Sequence, residues 1–88
     1  MTLAQTKDFI QESWFPFFEK KYEEKAKLRI EKNEYAIGFE VRVGEIALGV
    51  KFHDNDIKKW DIKKMDKIMV DFSKTLDEKI IGQYLKKL

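Results

Sequence analysis

Cysteine is absent from the 88 residues, so disulfides and thiolate metal sites are excluded. Histidine occurs once, as His53, which leaves Ser13 and Ser73 without the partners that nucleophilic catalysis requires. No glycine-rich phosphate loop is present among only four glycines. His53, Asp54 and Asp56 bring an imidazole and two carboxylates together, but their spacing matches neither a zinc pattern nor a calcium loop. Turn-forming chemistry is the simpler expectation there. These shortages predict a protein that is not an enzyme and needs no cofactor. Charge of one sign is lacking too: the net charge is +2 although 39% of residues are charged, which demands no polyanionic partner. Lys7, Asp8 and Glu12 interrupt every apolar run near the start, so neither a signal-peptide core nor a membrane span is expected. A cytoplasmic location is the default expectation.

What is present suffices for one domain spanning residues 1–88. Hydrophobic residues make up 43% of the chain and aromatics 14%. A chain of this size buries roughly 60–65% of its unfolded surface, so a core without staples is feasible. Its centre is the stretch from Glu34 to His53. Tyr35, Ile37, Phe39, Val41 and Val43 alternate with polar or small residues, and Ile46, Leu48, Val50 and Phe52 resume the alternation after Gly44-Glu45. Period two on both arms, joined by two residues with glycine first, predicts a hairpin with a type II′ turn. Val43 then faces Ile46, Val41 faces Leu48, Phe39 faces Val50, and Ile37 faces Phe52. One hairpin face is apolar throughout and requires a cover.

The reverse face carries Ala36, Gly38, Glu40 and Arg42 on one arm and Ala47, Gly49, Lys51 and His53 on the other. Glycine inside a strand weakens it and often marks close approach of a ligand or another backbone. A solvated face with small residues easing the sheet twist is the alternative. No aromatic lies there, so it is not a base-stacking platform.

Upstream, Leu3, Phe9 and Ile10 predict a helix over Thr2 to Ser13, capped by Thr2 or Thr6, that kinks or restarts near Pro16. Trp14, Phe15, Phe17 and Phe18 cannot share one helical face, so most should enter the core and the remainder could anchor a partner. Leu28 and Ile30 join the apolar face if a first strand runs from Lys27 to Glu31. A turn at Lys32-Asn33 would set Ile30 opposite Tyr35, Leu28 opposite Ile37 and Glu31 opposite Glu34. Downstream, His53 to Asp56 reads as a loop. Asp56-Ile57-Lys58-Lys59-Trp60 is then echoed by Asp61-Ile62-Lys63-Lys64-Met65. Five is not a secondary-structure period, so the two copies should differ in structure, with a helix starting near Asp61 as its N-cap and Asp56 as the alternative start. Met65, Ile68, Met69, Phe72 and Leu76 form one arc, while Ile80, Ile81, Tyr84, Leu85 and Leu88 continue from Leu76 on another. Thr75 and Glu78 have capping-box spacing. A C-terminal helical pair broken between Ser73 and Thr75 is expected, packed on one sheet face, giving an α+β fold around a three-stranded antiparallel meander.

Two functions remain open. The first is a protein-binding module, an inhibitor or accessory protein, whose contacts come from Trp14, Phe15 and Phe17, from Gly38, Arg42, Gly49 and Lys51 on the reverse face, or from strand addition at a free edge. A homodimer is a further option. In size and lysine-rich makeup the chain resembles the small accessory inhibitors of phages and mobile elements, anti-CRISPR proteins among them. The second is a nucleic-acid binder using Lys59, Trp60, Lys63, Lys64 and Lys67, with Lys74 on the same side. Asp56, Asp66 and Asp71 partly cancel that row. The order helix, three strands, helix, with Phe39-Glu40-Val41-Arg42-Val43-Gly44 and Gly49, is similar to the double-stranded-RNA-binding domain. That family opens its second helix with a lysine cluster, where this chain has His53-Asp54-Asn55-Asp56 before Lys58 and Lys59.

Overall fold

The computed structural model describes residues 1–86 and shows an α+β architecture: an N-terminal helix in joined pieces, a three-stranded antiparallel sheet and a C-terminal helix. The N-terminal helix begins as α1 (Leu3–Phe9). Thr2 caps it, its side chain accepting from the Gln5 N–H while the Gln5 side chain accepts from the Thr2 N–H, a reciprocal box that satisfies two end donors. A π-helical turn, Ile10–Trp14, follows, and α2 (Phe15–Lys21) completes the run. Pro16 has no N–H to give and its ring would crowd a carbonyl of the preceding turn. The wider turn absorbs both problems: the Phe15 N–H reaches back to the Ile10 carbonyl, and the helix passes the proline instead of ending. Trp14 and Phe18 consequently face the sheet, both fully buried.

α2 ends without glycine. The Glu23 N–H donates to the Lys20 carbonyl and the Glu24 N–H to the Glu19 carbonyl, a Schellman arrangement in which Glu23 (φ +53°) and Glu24 (φ +65°) take left-handed conformations.

The strands are β1 (Ala26–Lys32), β2 (Ala36–Val43) and β3 (Ile46–His53), in the order β1-β2-β3. The hairpin has the register its turn dictates, with Val43 paired to Ile46, Val41 to Leu48, Phe39 to Val50 and Ile37 to Phe52. Gly44 sits at φ +62° while Glu45 does not enter the left-handed region, as a type II′ turn requires.

β1 differs from expectation. Leu28 pairs with Val41, Ile30 with Phe39 and Lys32 with Ile37, so β1 lies further along β2 than a turn at Lys32-Asn33 would allow. Asn33 makes the connection longer: its Oδ1 accepts from the Tyr35 and Ala36 N–H groups at 2.7 and 2.9 Å, and its own N–H donates to the Ala36 carbonyl. Tyr35 is thereby spun out of the strand and is 73% exposed. Because the shift is even, Leu28 and Ile30 still reach the apolar face, and Glu31 meets Gly38 rather than Glu34.

The segment after β3 is also not a loop. Asp54–Ile57 forms one helical turn, α3, which drives Ile57 into the core. Asp61 then caps α4 (Ile62–Lys86), its Oδ1 accepting from the Lys64 N–H at 2.9 Å. The two copies of the five-residue echo thus differ: the first spans the end of α3 and a turn, the second opens α4.

α4 is one continuous helix rather than a pair. Thr75, expected to cap a restart, instead donates its hydroxyl to the Asp71 carbonyl one turn back, a bond that leaves the helix intact. Ser73 accepts from the Lys21 ammonium. Only the first of the two arcs packs on the sheet, through Met65, Phe72 and Leu76. Of the second, Ile80 is partly covered, Ile81, Tyr84 and Leu85 are exposed, and Leu88 lies outside the described residues.

One core joins these elements. Phe39 is its hub, with ring centroids at 5.3 Å from Trp14, 5.7 Å from Phe18 and 5.4 Å from Phe72. A polar tie locks α2 onto α4: Asp77 accepts from the Lys21 ammonium at 2.6 Å and from the Tyr22 hydroxyl at 2.8 Å. Burial, reinforced by that hydrogen bond and the Asp77 charge, raises the Tyr22 pKa above its ordinary value.

Candidate functional site: the uncovered sheet face

The helices roof only one side of the sheet, so the reverse side is built entirely by strand alternation. β1 contributes Lys27, Arg29 and Glu31 to it; β2 contributes Gly38, Glu40 and Arg42; β3 contributes Ala47, Gly49 and Lys51. Pairing arranges them in rows. Glu31, Gly38 and Lys51 form one, Arg29, Glu40 and Gly49 the next, and Lys27, Arg42 and Ala47 a third. The two glycines therefore sit diagonally in adjacent rows, and a shallow trough of about 320 Å³ opens over them. Its rim is Arg29, Glu31, Glu40 and Lys51. Arg29 and Glu31 are paired with each other, and both remain largely exposed.

The fold does not require either glycine. A Cβ on Gly38 would lie 3.9 Å from the Val50 carbonyl oxygen, and one on Gly49 would lie 3.7 Å from that of Phe39, both ordinary contact distances. Neither residue takes a left-handed φ. Glycine in a strand interior costs roughly 0.5–1 kcal/mol against alanine. The trough thus exposes bare backbone at a cost that no internal contact offsets.

The β3 edge adds a second feature. The two-residue turn makes Val43 and Ile46 a hydrogen-bonded pair, so the N–H and C=O groups of Ala47, Gly49 and Lys51 point away from β2. The Lys79 ammonium takes the Ala47 carbonyl at 3.1 Å, blunting the edge at its turn end.

Of the residues expected to meet a partner, Gly38, Arg42, Gly49 and Lys51 are brought together on this face. The aromatic anchor is corrected. Trp14 is fully buried, edge-on to Phe39 and Phe52, because the π-helical turn rotates it inward, and it cannot touch a partner. Phe15 is half-buried against Phe39 at 5.9 Å, and Phe17 is the most exposed of the three. Arg29, Glu31 and Glu40 complete the rim. The alternation Lys27-Leu28-Arg29-Ile30-Glu31 was the signal that could have found the first two.

The lysine row is less coherent than its spacing suggested. Lys63, Lys64 and Lys67 are exposed on α4, but Lys59 lies in the turn before it, its N–H donating to the Asp56 carbonyl. Trp60 is half-buried, edge-on to Phe52 at 5.2 Å with the Lys64 ammonium 6.0 Å from its ring, so it is not a free stacking surface. Among the described residues no group of three or more His, Asp and Glu is placed to hold a metal ion, and no helix is long and apolar enough to cross a membrane. No protein-family model matches this chain, and no curated protein or solved structure matches it either.

Proposed function

We propose that this protein is a non-enzymatic binding module that docks another protein on the uncovered sheet face, with an extended segment of the partner lying in the trough over Gly38 and Gly49. One observation carries the proposal: two strand-interior glycines that can be replaced without a clash lie diagonally in adjacent rows on the face that no helix covers. Arg29, Glu31, Glu40 and Lys51 would then set the partner's charge pattern. A module of this kind works by occupying a surface, which suits an inhibitor or accessory protein. Mixed charge on the rim argues for a protein rather than a polyanion.

The experiment compares wild type with Gly38→Thr, Gly49→Thr and a distal control, Lys20→Ala, each carrying a photocrosslinker at Lys51. The proposal expects a partner crosslinked by wild type and the control but lost by at least tenfold in both glycine variants, with folding retained by circular dichroism. An unchanged crosslinked product in the glycine variants would overturn it.

A further inference from the structure

We infer that two copies of this protein associate by seating the exposed turns of α4 around Ile81, Tyr84 and Leu85 from one copy in the groove between α1 and the start of α4 of the other. Neither surface of this contact belongs to the uncovered sheet face, so self-association and docking there are separable.

Among the described residues Phe17, Tyr35 and Val70 are exposed singly, whereas two groups of uncovered apolar side chains lie at opposite ends of α4. At the far end, the Asp77 contacts with Lys21 and Tyr22 and the Lys79 contact with the Ala47 carbonyl tie α4 to the body. Beyond them Ile81, Tyr84 and Leu85 are 57%, 67% and 60% exposed, followed by the exposed Lys86. At the near end, Met1, Phe9 and Ile62 line a groove of about 740 Å³ rimmed by Gln5, Asp8, Glu12 and Asp61. Ile62 there is 59% exposed although it opens a helix whose other apolar face is buried. Three carboxylates thus surround the apolar floor. The opposing charges are Lys63 at one end and the terminal ammonium of Met1, which is already donated to the Ile57 and Trp60 carbonyls at 3.0 and 3.2 Å.

The two surfaces fit in chemistry: an amphipathic helix end that carries lysine, and an apolar groove that carries carboxylates. Laying an apolar helix face into such a groove is a common mode of recognition. They cannot meet within one molecule. At a rise of ~1.5 Å per residue, the length of α4 between Ile62 and Leu85 holds them roughly 35 Å apart. A second copy brings them together, and a two-fold axis makes the contact twice, with the α4 helices antiparallel. One helix end in one groove is a small contact, and the two-fold axis doubles it. Association in the micromolar range is therefore the expectation, and it removes Ile62, Ile81, Tyr84 and Leu85 from water together.

The test is sedimentation velocity and light scattering of the full chain from about 1 μM to 1 mM, with circular dichroism as the folding control. Wild type should rise from monomer toward dimer mass. Ile81→Glu with Leu85→Glu should weaken association at least tenfold, and so should Asp8→Lys with Glu12→Lys. Adding Lys86→Glu to the groove reversal should restore part of it. A monomer at every concentration would overturn the inference. So would association that the helix-end variant abolishes but the groove reversal leaves unchanged, since the helix ends would then pair with each other.

Discussion

Replacing Gly38 and Gly49 by alanine should make this protein more stable, and the size of the gain tests whether the trough belongs to the fold or to its surface chemistry. The added methyls meet the Val50 and Phe39 carbonyl oxygens at 3.9 and 3.7 Å, so no neighbour has to move. Neither backbone conformation is one that a side chain disfavours. The gain then comes from the unfolded state, where alanine has fewer conformations to lose, and amounts to about 0.4–1 kcal/mol for each substitution. The sites lie in adjacent cross-strand rows and share neighbours, so the pair should yield somewhat less than the sum. A domain of this length shifts its midpoint by roughly 4–8 °C per kcal/mol. Each single variant should therefore melt about 2–8 °C higher. Urea titration followed by circular dichroism measures it, with an unchanged slope showing that the unfolded state exposes the same surface. A loss of more than about 1 kcal/mol in either variant would refute the reasoning, because the glycine would then be serving the sheet.

Four further outcomes follow from particular contacts. Trp14 is fully buried and its Nε1–H has no acceptor among the described residues, so Trp14→Ala should cost about 3–5 kcal/mol, whereas Trp14→Phe should cost distinctly less because it also removes that donor; urea unfolding of both separates the two terms. Glu23 occupies the left-handed position that helix ends usually give to glycine, and Glu23→Gly should raise stability by about 0.5–1 kcal/mol in the same assay. Asp61→Ala removes the α4 cap and should cost about 0.5–2 kcal/mol, visible as a lower thermal midpoint. The Tyr22 pKa is raised in the folded state, so above about pH 10 the unfolded chain releases this proton first and is favoured. Stability from this group is complete below that pH and declines as pH rises through the folded value; Tyr22→Phe should flatten the decline in melts recorded between pH 9 and 11.

Helix ends show where local sequence was sufficient and where it was not. The Thr2–Gln5 box and Asp61 are complete in a few consecutive residues, and both caps form as their spacing requires. The end of α2 carries no such signal, because left-handed glutamates are local strain held by the surrounding fold. The same division runs through the site. Gly38, Arg42, Gly49 and Lys51 share a face because period two and a two-residue turn place them there. Their neighbours Arg29 and Glu31 depended on the Asn33 connection, whose side-chain hydrogen bonds shifted the partner strand.

The alternation from Ile37 to Phe52 and the Gly44-Glu45 turn are enough, read in order, to set the hairpin, its register and its apolar side, since all of these follow from covalent geometry over short distances. Which aromatics reach solvent, whether α4 breaks, and which apolar residues are left without cover depend on contacts between segments far apart in the chain. Lys21 and Tyr22 on Asp77, and the π-helical turn that aims Trp14 inward, are such contacts. Their energies come from burial and pairing that exist only once the sheet and the helices have met.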